Sequence, residues 1–94
     1  RPEHLRGTLL LGMKAYHPSV RLAAVQGLRW PMLKAAAFRK RWSALLRDPS
    51  LTVRSVVLQW SLQLPTSLQL PTLRQKARQL CQNKPTSYAR GACL

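Results

Sequence analysis

The side chains capable of acid–base, nucleophilic or metal chemistry are few in this chain and lie far apart. They are two acids, two histidines and two cysteines: Glu3, Asp48, His4, His17, Cys81 and Cys93. None lie at the spacing of a nucleophile and its base or of a metal-ligand set. We therefore expect no enzymatic activity, no cofactor and no metal site. Glu3 and Asp48 are interpreted as residues of helix termini.

The two cysteines are too far apart in the sequence for a CxxC motif. Cys81 and Cys93 also make no zinc-type set with the two histidines. We therefore expect both to be free thiols, which is typical of a protein in a reducing compartment.

Basic side chains dominate the composition. The 94 residues include sixteen Lys and Arg against two Asp and Glu, giving a formal net charge of +14. A solvated surface normally mixes both signs, so this imbalance predicts a polyanionic partner, of which nucleic acid is the commonest. Arg predominates over Lys, which suits bidentate contacts with phosphate. The predicted phosphate-binding residues are Lys34, Arg39, Lys40, Arg41, Arg47, Arg74, Lys76, Arg78, Lys84 and Arg90.

Other interpretations of the charge stay open. The basic side chains could form an ordinary solvated face or bind a membrane rich in anionic lipid. The Arg39–Arg41 run could also be a nuclear-localisation patch. Trp42 and Trp60 lie on apolar stripes and are expected in the core, which leaves Trp30 as a possible platform for base stacking. No sequence-specific RNA-binding signature is present, so binding would depend on backbone and shape.

The periodicity of apolar residues predicts an all-α chain, because no segment alternates with period two. We predict helices near residues 2–16, 18–30, 32–47, 50–64 and 72–82, with Ser19, the turn Asp48-Pro49-Ser50 and Thr72 as caps. These helices make a single helical-repeat domain over residues 1–82, followed by an extended basic tail over residues 83–94. No apolar run approaches the roughly 20 residues that a transmembrane helix needs.

Apolar stripes indicate which side of each helix is buried. Gly7 and Gly12 weaken the first helix but would allow close helix packing. The fourth helix is apolar on two faces, which implies burial between neighbours. The predicted inward-facing residues of the first, third and fifth helices are Leu5, Leu9, Met13 and Tyr16, then Ala35, Phe38, Trp42, Leu45 and Leu46, then Leu73, Ala77 and Leu80.

Two similar segments are separated by the length of one helical repeat. His17-Pro18-Ser19-Val20-Arg21 precedes one apolar helix, and Asp48-Pro49-Ser50 with Val53-Arg54 opens another, with the Val-Arg pairs 33 positions apart. On these residues the chain resembles the HEAT-like repeat family, in which antiparallel helix pairs stack into a superhelix. The resemblance covers roughly residues 3–64.

The resemblance implies an ion pair along the stack between a turn Asp and a helix Arg. Asp48 and Arg54 match that pair, whereas Arg21 matches only its basic half. The chain holds about two and a half repeats, fewer than the roughly three that a self-standing solenoid needs. We therefore expect it to stack on something larger.

The predicted function is that of a non-catalytic structural accessory protein of a large ribonucleoprotein, with a mitochondrial ribosome as the leading candidate. It would bind rRNA through Lys and Arg, pack on neighbouring subunits and take no small-molecule substrate. The scarcity of acids, the start at Arg1 rather than Met and the expected free thiols indicate import into the mitochondrial matrix. The alternatives are an accessory subunit of a mitochondrial respiratory or ATP-synthase complex, and a fragment of a HEAT-like protein-binding scaffold.

Overall fold

The computed structural model describes residues 2–89 and 91–93, with side chains from residue 5 onward. Over these residues the chain is all-α, which confirms the predicted fold class. The α-helices are α1 (Pro2–Met13), α2 (Pro18–Gly27), α3 (Ala36–Leu45), α4 (Leu51–Leu62) and α5 (Pro71–Asn83). Short 3-10 helices cover Trp30–Lys34, Thr66–Leu68 and Pro85–Ser87. None of the helices in the described part is long and apolar enough to cross a lipid bilayer.

The helix predicted over residues 32–47 is divided in two. The Trp30–Lys34 3-10 helix comes first, and α3 begins only after Ala35, whose backbone is extended at φ −80° and ψ 131°. The first two helices end three residues earlier than predicted, at Met13 and Gly27. Prolines follow both ends within a few residues and disfavour the helical region for the residue before them.

One of the three predicted caps is correct, and within the turn Asp48-Pro49-Ser50 the capping residue is Ser50. Ser50 caps α4, since its Oγ accepts the Val53 N–H at 3.4 Å. The predicted caps Ser19 and Thr72 lie inside their helices, because Pro18 and Pro71 already belong to the first helical turn. Proline is favoured there, since the N–H groups of the first turn have no partner within the helix and the N–H that proline lacks is not missed. His17 is the cap of α2 instead, and its Nδ1 accepts the Ser19 N–H at 3.2 Å.

The predicted apolar stripes form the core. Helix α1 packs on α2 and α3, α2 on α4, and α4 on both α3 and α5. Leu5 and Tyr16 are exceptions at 44% and 96% exposure, because no described element covers Leu5 and α1 ends before Tyr16. The other predicted inward residues of α1, α3 and α5 are buried, except half-buried Ala35: Leu9, Met13, Phe38, Trp42, Leu45, Leu46, Leu73, Ala77 and Leu80.

The predicted extended tail is wrong for the described residues beyond 83. After the Pro85–Ser87 3-10 helix, Tyr88 is buried and its hydroxyl donates to the Leu46 carbonyl at 3.0 Å. The Ala89 N–H donates to Ser55 Oγ at 2.7 Å. The tail therefore folds back across α3 and α4, because burying an aromatic ring favours a packed segment.

The predicted free thiols are also wrong. Cys81 on α5 and Cys93 in the tail form a disulfide, with their Cα atoms 5.6 Å apart. Their separation of twelve residues matches no sequence motif, and only the return of the tail to α5 brings them together.

Candidate polyanion-binding surface

The carboxylate of Asp48 makes its hydrogen bonds inside the fold. Arg21 Nε donates to Oδ1 at 2.8 Å and Nη2 donates to Oδ2 at 2.9 Å, which is a bidentate pair. The Ser50 N–H donates to Oδ2 at 2.9 Å. The two side chains are only 12% and 4% exposed, so the pair links the start of α2 to the turn before α4. The pairing of Asp48 with Arg54, implied by the family resemblance, is therefore corrected.

Three arginines share one local contact. Each is the fourth residue of its helix, and its Nη1 donates to the carbonyls six and five residues earlier. The acceptors are Ala15 and Tyr16 for Arg21, Leu33 and Lys34 for Arg39, and Asp48 and Pro49 for Arg54. These side chains satisfy the carbonyls at the end of the preceding turn. Arg39 was predicted as a phosphate ligand, yet its guanidinium is engaged in this structural contact.

Basic side chains line a groove between α1 and α3. Lys40 and Arg41 meet Lys14 there, and the apolar lining is Leu10, Ala37 and Ala44. The volume is about 240 Å³. Sequence clustering missed Lys14, because it lies more than twenty residues before the α3 cluster and joins it only through helix packing.

A second basic groove lies where α3, α4 and the tail meet. Arg47, Arg54 and Lys84 line it together with Leu46, Leu80, Ser87 and Tyr88, and its volume is about 340 Å³. Arg47 and Lys84 were predicted ligands, and Arg54 was missed because its place in the repeat suggested only a structural role. We call this cavity the tail groove.

Tyr88 borders the tail groove, and the charges of the groove affect the pKa of its phenol. Burial raises the pKa of the Tyr88 phenol, while the nearby Arg54 and Arg47 guanidinium groups oppose that rise. The guanidinium carbon of Arg54 lies 5.9 Å from the Tyr88 ring centroid. The phenol is therefore protonated at neutral pH and free to donate its hydrogen bond to Leu46.

The other predicted ligands are dispersed. Lys34 and Arg78 are exposed, and Lys76 is half-buried. Arg74 lines a separate groove of about 280 Å³ beside the loop of the tandem hexapeptide. Arg90 lies outside the described residues.

Trp30 is not a free stacking platform. Its ring packs edge-on against Trp42 and Trp60, with centroid distances of 6.1 and 5.8 Å. Trp42 is fully buried, while Trp30 and Trp60 are half-buried against the core. All three indoles therefore form one structural cluster.

Over the described residues, these features define a strongly basic, all-α domain with two open grooves that each carry three Lys or Arg side chains. Among the side chains of residues 5–89 and 91–93, no three His, Cys, Asp or Glu residues are grouped to hold a metal ion. Comparison of the chain with protein-family models, curated proteins and solved structures found no match.

Proposed function

We propose that this chain is a non-catalytic structural accessory protein of a large ribonucleoprotein, and specifically of a mitochondrial ribosome in the matrix. One observation carries the proposal. The formal net charge is +14, and the carboxylate of Asp48 is already paired with Arg21. The cations of both grooves therefore have almost no counter-charge within the chain, and RNA phosphates would provide it.

The proposed contacts with RNA are to backbone phosphates. The groove between α1 and α3 presents Lys14, Lys40 and Arg41, and the tail groove presents Arg47, Arg54 and Lys84. Since the indoles pack against one another, base stacking has little part in the proposal. Binding would depend on RNA shape and charge.

The proposal also includes two HEAT-like repeats, formed by α1 with α2 and by the α3 region with α4. Its support is the equivalence of Arg21 and Arg54. Both bind the carbonyls of their own preceding turn through Nη1, and both reach the following turn through Nε, to Asp48 and to Ser87 respectively. That is the linkage expected between successive repeats in a stack.

Neighbouring subunits would cover the apolar residues left exposed on α1, in the turn after it and at the start of α2. Leu5, Leu11, Tyr16 and Val20 are 44%, 72%, 96% and 46% exposed. Exposed apolar residues on the first helix pair of a stack are typical of a contact with another protein.

The proposed location depends on the scarcity of acids. Because Cys81 and Cys93 are paired, they give no support to a reducing compartment, and a disulfide is more typical of an oxidising one. Alkylation of thiols in the protein from its native source would test this point directly. Cysteines found fully oxidised in cells would contradict a matrix location.

The experiment that tests the function is sedimentation of the native protein with and without ribonuclease. We expect it to migrate with ribosomal subunits and to leave them on digestion. Binding of the purified protein to structured RNA should weaken steeply between roughly 50 and 200 mM salt, because each neutralised phosphate adds to the salt dependence. Affinity independent of salt, or retention on membranes after digestion, would contradict the proposal.

A further inference from the structure

Arg21 and Arg54 occupy equivalent positions but differ in one partner. In Arg21, Nε and Nη2 both bind the carboxylate of Asp48. In Arg54, Nε binds the carbonyl oxygen of Ser87 at 2.7 Å. Among the described residues, no acceptor is bound to Nη2 of Arg54. The guanidinium of Arg54 is thus held by the same backbone carbonyl contacts as that of Arg21, but no carboxylate of the described residues binds it.

Arg54 is held firmly in place. Three carbonyl oxygens, from Asp48, Pro49 and Ser87, accept its hydrogen bonds. The side chain is half-buried, so it has already lost most of its conformational freedom in the folded protein. A ligand at Nη2 would therefore meet a preorganised donor at little entropic cost.

Two further cations share the cavity with Arg54. Arg47 and Lys84 line the tail groove together with Ser87 and Tyr88. Like charges gathered in a partly enclosed site repel one another more strongly than they do in water. The carboxylate of Asp48 is held by Arg21 and does not neutralise them. An anion entering the groove would relieve this repulsion.

We propose that the tail groove is a binding site for a single phosphate group. Arg54 Nη2 donates to one phosphate oxygen, and Arg47 and Lys84 contribute charge-assisted contacts to the others. The phosphate has the role at Arg54 that Asp48 has at Arg21. This inference deepens the proposed function, on which it rests, since the bound group would be a phosphate of the RNA backbone; a free phosphate has the same chemistry.

The first experiment is a titration with inorganic phosphate, followed by NMR of the backbone amides at constant ionic strength. We expect saturable shifts at Lys84, Ser87 and Tyr88. Arg47→Gln and Lys84→Gln, both at exposed positions, should each weaken phosphate binding roughly tenfold through the loss of a charge-assisted contact. Arg6→Gln and Arg29→Gln remove the same charge at exposed positions outside the groove and should change binding less than twofold.

A second variant introduces a carboxylate into the chain, at the place where the phosphate would bind. Ser87→Asp places an acid beside Arg54 and should abolish the phosphate-induced shifts while the fold is kept. Ser67→Asp adds the same charge at an exposed position of the Thr66–Leu68 3-10 helix and should leave the shifts intact. Equal loss of the phosphate-induced shifts in the two Asp variants would overturn the proposal. So would an equal loss of phosphate affinity in the Gln variants of the groove and of the control positions.

A short oligoribonucleotide distinguishes the two sources of phosphate. If it competes with inorganic phosphate at the same amides, the ligand is an RNA phosphate; if it binds without shifting them, the groove takes a free phosphate. Absence of phosphate-induced shifts with intact salt-dependent RNA binding would overturn the site and leave the proposed function standing. Phosphate binding without RNA binding would support the phosphate site and overturn the proposed function.

Discussion

At the scale of residues, a few long side chains tie the helical turns together. Arg21, Arg39 and Arg54 each bind the carbonyls six and five residues earlier, and Arg21 also holds the Asp48 carboxylate. One of the two acidic residues of the chain, Asp48, thus belongs to a structural ion pair. Of the other basic side chains in the described part of the chain, Lys14, Lys40 and Arg41 line one groove, and Arg47 and Lys84 line the tail groove together with Arg54.

Replacing Asp48 by Ala should destabilise the protein by about 3 kcal/mol, because the change leaves the guanidinium of Arg21 partly buried without its anion. Urea denaturation measures the loss. The double variant Asp48→Ala/Arg21→Ala should lose clearly less than the sum of the two single variants, since both report one interaction. Strictly additive losses would show that the two residues act independently.

Replacing Ser61 by Ala should cost about 1–3 kcal/mol, because it leaves the buried indole N–H of Trp42 without an acceptor. That N–H donates to Ser61 Oγ at 2.8 Å, and the hydroxyl donates to the Val57 carbonyl at 2.7 Å. Ser67→Ala, at an exposed position, is the matched control. A loss no larger than that of the control, again measured in urea, would contradict this account of the hydrogen bond.

At the scale of elements, the contact between α1 and α2 depends on one of two glycines. A Cβ added at Gly12 would lie 2.9 Å from the Cβ of Ala24, whereas one added at Gly7 meets nothing within 4 Å. The predicted close packing therefore applies to Gly12 and not to Gly7. The periodicity of α1 could not separate the two, because it does not say where the partner helix crosses.

Gly7→Ala and Gly12→Ala should have opposite effects on stability. Alanine at Gly7 should raise the free energy of unfolding by about 1 kcal/mol through helix propensity. Alanine at Gly12 should lower it by about 1–3 kcal/mol, since the added methyl forces α1 away from α2. Thermal unfolding followed by circular dichroism measures both. The same sign for the two variants would contradict the packing of these helices.

Reduction of the disulfide should lower the free energy of unfolding by about 3 kcal/mol, the value expected for a closed loop of roughly fifteen residues. The pair Cys81–Cys93 closes the segment that carries Lys84 and Tyr88. Denaturation with and without reductant measures the effect. The double variant Cys81→Ser/Cys93→Ser should be insensitive to reductant, and equal stability of the oxidised and reduced wild-type protein would refute the prediction.

At the scale of the whole molecule, net charge sets the response to salt. The Debye length is about 30 Å at 0.01 M salt and about 8 Å at 0.15 M. The radius of gyration is 12.7 Å. Repulsion among the basic side chains therefore acts across the entire molecule at low salt and is largely screened at the higher concentration.

Raising sodium chloride from about 0.01 to 0.15 M should increase the free energy of unfolding, because screening relieves repulsion that destabilises the compact state. The urea midpoint measures the change, and an unchanged m-value shows that the same surface is exposed. A midpoint that falls with added salt would mean that attractive charge pairs outweigh the repulsion.

The local features of the fold could be predicted from the sequence. Helix identity, most inward-facing residues and the Ser50 cap follow from apolar spacing and from proline and serine positions, whose effects extend over only a few residues. The candidate site was predictable in part. Lys40, Arg41, Arg47 and Lys84 stand out by charge alone, whereas Lys14 and Arg54 do not, because only packing brings them to the grooves.

The sequence by itself determined that this chain is helical, strongly basic and poor in catalytic side chains, since these properties depend on composition and local periodicity. The tertiary structure alone decided that Asp48 pairs with Arg21 and that Cys81 pairs with Cys93. It also decided that the tail returns over α4 to complete a groove. These contacts join residues far apart in the chain, and they exist only because burial of the core fixes where the helices cross.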